Sequence, residues 1–226
     1  MAVSALLRLA IPWRNTLIRL CPPIHEALCR LDFSVRHLPR LMRGGWSSPL
    51  PPLLKRAFLR GIARDEGVHT FVETGTYLGD TTWHFRHDFE TIHSIEVEPY
   101  LHAQAARRFR TLGHITIHRG DSTDVLPAII ASLREKTLYW LDGHYSGGIT
   151  GTGDSHCPVY AELESIFTLS QAPFVIVIDD ARCFGADRTY PRIDDVLACV
   201  ARLSEQRAAV CVENDMIVIQ PSPATA

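Results

Sequence analysis

The sequence predicts an α/β fold built on a doubly wound sheet of seven strands, mostly parallel, with an antiparallel hairpin at its C-terminal end. From residue 55 onward, short apolar extended runs alternate with segments of helical periodicity, which is typical of a parallel sheet covered on both faces. The last two extended runs flank Asn214 and Asp215, a turn signal that favours an antiparallel pair. With 226 residues, 46% of them hydrophobic, the chain can bury a full core.

Each element of this fold is predicted in order from its own sequence pattern. Segments with helical spacing of apolar residues alternate with short β-branched or apolar runs, and Pro99 favours a helix start after the second strand. The predicted strands are residues 71–74, 91–98, 115–121, 137–142, 174–180, 208–213 and 216–221. The predicted helices are residues 55–67, 80–89, 99–113, 124–135, 158–170 and 190–206. Five strand-helix units followed by a hairpin differ from a plain dinucleotide-binding fold.

The N-terminal part of the chain differs in charge from the rest. Residues 1–60 contain ten Lys or Arg and two acidic residues, whereas the remainder contains thirteen basic and twenty-three acidic residues. Short apolar clusters broken by arginines predict amphipathic helices with basic outer faces. We therefore divide the chain into a basic helical segment with a Gly-, Ser- and Pro-rich linker (1–54), a main domain (55–221) and a tail (222–226). The basic segment is expected to cap the main domain, to attract acidic substrates or lipid headgroups, or to form a homo-oligomer contact.

Composition argues against several classes of protein. No uninterrupted apolar run approaches the roughly 20 residues of a membrane-spanning helix, so no transmembrane span is predicted. The six cysteines form no CxxC pair and follow no secretory signal, which predicts reduced thiols in a cytoplasmic protein. Because the main domain is acidic and has no stripe of basic and aromatic residues, no nucleic-acid partner is expected.

The segment FVETGTYLGDTT, residues 71–82, predicts a buried strand that runs into a glycine turn carrying its own carboxylate. Glu73 would repel the pyrophosphate of a dinucleotide, so the loop favours a cationic ligand. Gly75 and Gly79 allow a tight turn and a close approach of the backbone to a ligand. Further hydroxyl contacts are offered by Thr76 and Thr81. The alternative is an ordinary strand-to-helix turn with glycines where positive φ is needed.

Acidic residues close the first five predicted strands. They are Glu73, Glu96, Asp121, Asp142, and Asp179 with Asp180. Ligands of open α/β sheets bind beyond the carboxyl ends of the strands, so we expect these side chains to share one crevice. Glu96 lies about 20 residues after the glycine loop, where an acidic side chain binds a ribose hydroxyl pair of either NAD or S-adenosylmethionine (SAM). Asp121 and Ser122 could accept from an adenine amino group or cap the following helix.

Three of these carboxylates, Asp142, Asp179 and Asp180, form a second predicted group. Crowded carboxylates raise one another's pKa unless a cation neutralises them, and oxygen-only ligation suits Mg²⁺, or similarly Mn²⁺ or Ca²⁺. The alternative is that Asp180 pairs with Arg182 and that Asp142 is a loop acid. His144 would lie at the mouth of the same crevice, where its ordinary pKa of about 6.5 suits a general base, although a histidine can equally be structural. The glycine-rich stretch 145–153 could close over a substrate.

Together these motifs resemble the class I SAM-dependent methyltransferases, whose fold is Rossmann-like. Residues 73–81 read E-x-G-x-Y-x-G-x-T, and GDS follows at 120–122. LDG at 141–143 and IDD at 178–180 are similar to motifs of the metal-dependent O-methyltransferases of the catechol, caffeoyl-CoA and macrocin types. The resemblance implies a SAM loop at Glu73, Gly75, Tyr77 and Gly79, a ribose contact at Glu96, adenine contacts at Asp121 and Ser122, and Mg²⁺ ligands at Asp142, Asp179 and Asp180.

The chain departs from these types at the expected base. The catechol type has a lysine three residues after the first metal aspartate, where this chain has Tyr145, and the macrocin type has an acid two residues after it, where this chain has His144. The predicted function is metal-assisted O-methylation of a small-molecule hydroxyl by SAM, with Asp142 and His144 as catalytic residues. The alternatives are a non-catalytic SAM-binding or partner-binding module and a NAD-dependent oxidoreductase.

Overall fold

The computed structural model describes Cys21, Ile24, Ala27, Leu31 and residues 49–143 and 157–221. Its helices are α1 (Pro52–Asp65), α2 (Asp80–Phe85), α3 (Pro99–Phe109), α4 (Ser122–Ser132), α5 (Val159–Leu169) and α6 (Ile193–Leu203). Its strands are β1 (Thr70–Thr74), β2 (Thr91–Glu96), β3 (Ile115–Arg119), β4 (Thr137–Leu141), β5 (Phe174–Ile178), β6 (Ala208–Glu213) and β7 (Met216–Pro221). A short 3₁₀ helix, Ala181–Cys183, follows β5. Among the described residues, no helix is both long and apolar enough to cross a bilayer.

The seven strands form one sheet in the order β3-β2-β1-β4-β5-β7-β6. The first five strands pair in parallel, while β7 pairs antiparallel with both β5 and β6. The predicted sheet and its C-terminal hairpin are therefore confirmed. The strand order reverses between β1 and β4, and in open α/β sheets the crevice at such a reversal is where ligands bind.

Helices cover both faces of the sheet because its central strands are apolar on both sides. On one face, Leu59 of α1 and Phe109 of α3 pack with Phe71 of β1. On the other face, Leu126 of α4 and Leu163 of α5 pack with neighbouring apolar residues of β1, β4 and β5. All five residues of β1 and of β4 are buried, as expected for strands in the middle of a doubly wound sheet.

Several helix boundaries differ from the sequence prediction, among them the end of α2 and the start of α1. Helix α2 ends at Phe85, four residues before the predicted end, because the chain turns to bury Phe89 against Phe71 with ring centroids 5.1 Å apart. Helix α1 begins at Pro52, inside the stretch predicted as a linker, and proline in the first helical turn has no N–H that needs a partner. The division of the chain into segment, domain and tail stays a prediction.

Candidate cofactor site and acidic cluster

A cavity of about 280 Å³ lies at the carboxyl ends of β1 and β4, where the strand order reverses. It gathers residues from the β1–α2 loop, the ends of β4 and β5, and helix α1. From the predicted site, the cavity is lined by Glu73, Gly75, Thr76, Tyr77, Thr81, Asp142 and Asp179. Lining residues that the sequence prediction missed include Lys55, Arg56 and Trp140. The structure therefore brings acids from three separate strand ends to one crevice.

The glycine loop is fixed to the neighbouring strands by its backbone. The N–H groups of Gly75 and Thr76 both donate to the carbonyl oxygen of Ile95 at 3.0 Å. Gly75 has φ +87°, and a Cβ on it would lie 2.9 Å from the carbonyl carbon of Asp142 and closer still to its oxygen. The loop and the end of β4 are therefore in direct backbone contact, which no larger residue at position 75 would allow.

Glu73, at the end of β1, is buried with only 2% of its surface exposed. Its carboxylate accepts hydrogen bonds from Thr82 Oγ1 and Ser94 Oγ, each at 2.6 Å. Burial raises the pKa of Glu73 to about 7, although the two hydroxyl donors and Arg56 oppose the change. Glu73 is thus held rigidly at the cavity wall and can carry a negative charge toward a cationic ligand above neutral pH.

Glu96, at the end of β2, connects that strand to the loop. Its two carboxylate oxygens accept from the backbone N–H groups of Tyr77 at 2.7 Å and Glu98 at 2.9 Å. Tyr77, which donates one of these hydrogen bonds, has the left-handed backbone angle φ +49°. A carboxylate has about four acceptor positions, so two hydrogen bonds leave capacity for a ribose hydroxyl pair. Burial raises the pKa of Glu96.

Asp121 caps helix α4, which is one of the two roles predicted for it. Its side chain accepts from the N–H of Thr123 at 2.9 Å. Ser122 begins the helix, is 8% exposed and hydrogen-bonds the carboxyl group of Glu162. Within the described part of the chain, neither residue belongs to the cavity lining, and the adenine contacts stay a prediction.

Glu162 is a buried acid that the sequence prediction missed. It lies in the first turn of α5, is 1% exposed, and hydrogen-bonds Ser122. Its Oε1 and the nearby Oγ1 of Thr74 have no hydrogen-bond partner among the described residues. Burial raises its pKa to about 7. The signal in the sequence is an acid on the apolar stripe of a helix, because Val159, Leu163 and Ile166 on the same face are buried.

Asp142, Asp179 and Asp180 do come together as predicted. Each offers an oxygen that lies within 4.8 Å of the others. Oxygen ligands of one Mg²⁺ lie roughly 3–4 Å apart, so the three carboxylates suit such an ion in chemistry and need only a small contraction in spacing. Burial, followed by the charges of Asp179 and Asp180, raises the pKa of Asp142 well above its ordinary value.

The ammonium group of Lys55 lies within this cluster. Its Nζ donates to Oδ1 of Asp179 and, at 3.0 Å, to Oδ1 of Asp180. The side chain of Lys55 is only 11% exposed. Burial raises the pKa of Asp179 to about 6 against the opposing charge of Lys55. Burial would also raise the pKa of Asp180, but Lys55 and Arg182 together lower it.

Lys55 could have been found from helical spacing. Lys55, Leu59 and Ala63 are four residues apart and form the buried face of α1. A lysine on an apolar stripe is seldom buried without an acidic partner, so the pattern indicates an unseen carboxylate. The partner itself cannot be identified from spacing, since it lies 124 residues away in sequence.

The ion pair that was predicted as the alternative role of Asp180 is also present. Arg182 Nη1 donates to Oδ1 of Asp180 at 2.7 Å and to Oδ2 of Asp215. The backbone N–H of Arg182 donates to Oδ1 of Asp215 at 3.0 Å. Asp215 lies in the turn between β6 and β7, so the C-terminal hairpin is connected to the cluster.

The predicted base, His144, and the glycine-rich stretch 145–153 lie outside the described residues. The metal-site assignment and the base assignment therefore stay predictions. Among the described cysteines, Cys21, Cys157, Cys183, Cys199 and Cys211 are free. That the thiols are reduced stays a prediction.

Comparison with known proteins supports the fold. No protein-family profile and no curated protein sequence matches the chain. Solved structures do match. An O-methyltransferase from Bacillus cereus in complex with S-adenosylhomocysteine (SAH) aligns with a TM-score of 0.53 and 16% identity, over 87% of this chain and 97% of that one.

Two further structures have the same architecture. TomG, an O-methyltransferase from Streptomyces achromogenes involved in tomaymycin synthesis and solved with SAM, aligns with a TM-score of 0.50 and 19% identity, over 78% of this chain and 81% of that one. The N-methyltransferase NodS from Bradyrhizobium japonicum, solved with SAH, aligns with a TM-score of 0.51 and 14% identity, over 78% of this chain and 94% of that one. The chain therefore has the Rossmann-like fold of class I SAM-dependent methyltransferases.

Proposed function

We propose that the protein is a SAM-dependent methyltransferase that acts on a hydroxyl group of a small molecule. The proposal rests mainly on the acidic cavity at the point where the strand order reverses between β1 and β4. The β1–α2 loop forms part of the cavity wall, and a hydrogen bond from the N–H of Tyr77 to Glu96 fixes this loop. Above neutral pH, the Glu73 carboxylate would attract a sulfonium cation and would repel the pyrophosphate of NAD. The shared fold with SAM- and SAH-bound enzymes supports the same cofactor.

We assign the cofactor-binding residues from the motif resemblance and, for those that line the cavity, from their position in it. The loop residues Glu73, Gly75, Thr76, Tyr77, Gly79 and Thr81, together with Asp142, would surround the methionine part of SAM. Glu96 would accept from the ribose hydroxyls, and Asp121 and Ser122 would lie at the adenine. SAM supplies an electrophilic methyl group, and the protein contributes mainly by holding the acceptor oxygen in line with it. Such orientation can lower the activation free energy by about 7 kcal/mol or more in the best cases.

A divalent cation is the second part of the proposal. Asp142, Asp179 and Asp180 would hold Mg²⁺, or similarly Mn²⁺ or Ca²⁺, and such an ion lowers the pKa of a bound hydroxyl. The fold does not distinguish the acceptor atom, because an N-methyltransferase shares it. The three carboxylates support oxygen rather than nitrogen, because a metal ion held by them would activate a hydroxyl group. His144 would take the acceptor proton.

A non-catalytic SAM-binding module is the second candidate. The ion pairs of Lys55 with Asp179 and Asp180 favour it, because they satisfy the cluster without a metal or a substrate. The two candidates differ in one product: only a methyltransferase converts SAM to SAH when a hydroxylated acceptor is supplied.

Calorimetry on the full chain tests the cofactor. SAM and SAH should bind and NAD should not, and Glu96→Gln should weaken SAM binding by roughly ten-fold, the worth of one charge-assisted hydrogen bond. The matched control is Glu90→Gln, at an exposed position just before β2. Binding of NAD in preference to SAM would exclude the proposal.

Turnover tests the metal and the acceptor atom. SAH should accumulate when the chain is incubated with SAM, Mg²⁺ and a panel of phenols and sugar hydroxyls, and Asp179→Ala should abolish this turnover while SAM still binds. Turnover that persists unchanged in excess chelator would contradict the metal part. SAM binding without SAH from any acceptor would favour the non-catalytic candidate.

A further inference from the structure

The cluster of Asp142, Asp179 and Asp180 already contains a cation that belongs to the chain. Lys55 Nζ donates to Oδ1 of Asp179 and Oδ1 of Asp180, and so engages two of the three carboxylates of the cluster. The group is largely shielded from water, with 11% of the Lys55 side chain and 6% of the Asp179 side chain exposed. The cluster is therefore built to accept positive charge, and Lys55 is its occupant in the described structure.

An ammonium group and a divalent cation cannot share these oxygens. Two positive charges a few ångströms apart in a poorly solvated site repel each other by roughly several kcal/mol. A metal ion also needs the lone pairs that the N–H groups of Lys55 engage. Entry of one cation therefore requires withdrawal of the other.

The position of Lys55 in α1 makes such withdrawal feasible without unfolding the helix. Lys55 lies in the first turn, whereas Leu59 and Ala63 anchor the later turns in the core. The far end is fixed separately, because Glu66 pairs with Lys136 at 2.7 Å and accepts from Gln220 at 2.9 Å. Leu50 and Leu54 also pack on the core near the start of α1, so the withdrawal needed is a local shift of the first turn that moves the long Lys55 side chain while the end of the helix stays in place.

We propose that Lys55 and a divalent cation compete for Asp179 and Asp180, so that the first turn of α1 sets the metal affinity of the cluster and is released when metal binds. The inference rests on the proposed function only in taking the cluster as a cation site. Since Pro52, Lys55 and Arg56 also line the cavity, release of this turn would widen the entrance beside Glu73. Metal binding would then be coupled to access to the cavity.

Metal titration of three full-length proteins tests the competition. Mg²⁺ and Mn²⁺ are titrated calorimetrically into the wild-type chain, Lys55→Met and Lys136→Met. Lys136→Met is the matched control, since it removes a lysine that also ties α1 to the sheet by a carboxylate but lies away from the cluster. Lys55→Met should bind metal at least roughly ten-fold more tightly than the other two proteins, because a unit charge has been removed from contact with the site. Equal affinities, or no metal binding by Lys55→Met, would overturn the proposal.

Hydrogen exchange on the wild-type chain gives a second readout that needs no variant. Saturating Mg²⁺ should speed exchange of the amides in the first turn of α1, residues 52–58, and leave those near Glu66 unchanged. Metal binding without any change in residues 52–58 would also overturn the proposal. SAM calorimetry on the same samples separates this result from the proposed function, because a chain that fails to bind SAM can still show the effect of Lys55 on metal affinity.

Discussion

At the scale of single residues, two buried acids lie at the carboxyl end of β1, on opposite faces of the sheet. Glu73 bonds Thr82 and Ser94 on the α1–α3 face, while Glu162 bonds Ser122 on the α4–α6 face. Burial raises the pKa of each acid from 4.5 to about 7. Both carboxyl groups therefore keep their protons in the folded chain at pH values where the unfolded chain has released them.

This difference predicts a dependence of stability on pH. Between pH 4.5 and about 7, the folded chain binds more protons than the unfolded chain, so the free energy of unfolding falls as the pH rises, by about 3 kcal/mol for each group. Glu73→Gln and Glu162→Gln should each flatten this slope and raise the melting temperature at pH 8 but not at pH 4. Thermal unfolding across pH checks it, with Glu213→Gln, at an exposed position, as the control. A slope that neither variant changes would contradict the prediction.

Gly75 gives a second prediction at this scale. An alanine there combines a left-handed backbone, φ +87°, with a clash against the backbone of Asp142, so Gly75→Ala should cost more than about 2 kcal/mol and abolish SAM binding. Gly61 is the contrasting position, because a Cβ there meets nothing within 4 Å in the interior of α1. Gly61→Ala should stabilise the chain by about 0.5–1 kcal/mol. Urea unfolding and SAM calorimetry measure both; a tolerated alanine at position 75 would refute the close backbone contact.

At the scale of elements, helix α3 fixes the loop that precedes α2. Arg108 is completely buried at its side chain and donates to the carbonyl oxygen of Leu78 at 2.6 Å and to Asp80 at 3.0 Å. Gly79, between them, packs against Phe109, since a Cβ at this position would lie 2.8 Å from that ring. The conformation of the loop thus depends on a helix that does not itself line the cavity.

Loss of this contact should weaken both fold and cofactor binding. Arg108→Met leaves Asp80 and the Leu78 carbonyl without their buried donor, at a cost of about 3 kcal/mol, and loosens the loop that binds SAM. The neighbouring Arg107 is exposed, and Arg107→Met should change stability by no more than about 0.5 kcal/mol. Chemical denaturation and SAM calorimetry compare the two variants. Equal effects at positions 107 and 108 would rule out this role for α3.

Elements differ in how well the sequence predicts them. The strands and the hairpin were predicted within a few residues because buried parallel strands are continuous apolar runs and Asn214-Asp215 marks the turn. The ends of helices were less predictable. The end of α2 depends on burial of Phe89 against Phe71, and such tertiary packing leaves no local signal.

At the scale of the whole molecule, the sheet and both of its helical layers form a unit whose described core begins at Leu50. Leu59 is fully buried, and it packs in the same cluster as Phe71 and Phe109. Helix α1 is therefore part of the main fold although its basic residues continue the charge pattern of the N-terminal segment.

Truncation of the chain tests whether the main fold begins at α1 and does not need the segment before it. Removal of residues 1–48 should leave cooperative thermal unfolding and SAM binding intact, because the described core contains no residue before Leu50. Removal of residues 1–65 should abolish both, since it exposes the face of the sheet that Leu59 and Ala63 cover. Calorimetric scans and SAM titration of the two shortened chains give the answer. Loss of folding on removal of residues 1–48 alone would place the boundary elsewhere.

The candidate site was predictable from the sequence only where its residues end strands, and not where they lie on helices. Acids such as Asp142 and Asp179 could be grouped because the ends of parallel strands meet at one edge of the sheet. Lys55 could not be placed with them, because a helix packed on the face of the sheet leaves no sequence rule for which strand end its first turn meets. Glu162 was missed for the same reason.

The link from Asp180 through Arg182 to Asp215 extends the influence of the cluster to the far edge of the molecule. We expect a shift of Asp180 to move the β6–β7 turn as well, because Arg182 donates to both Asp180 and Asp215. The thiol of Cys211 is exposed on β6, so a fluorescent dye attached there would report the arrival of a cation from outside the crevice, without touching any residue that binds it.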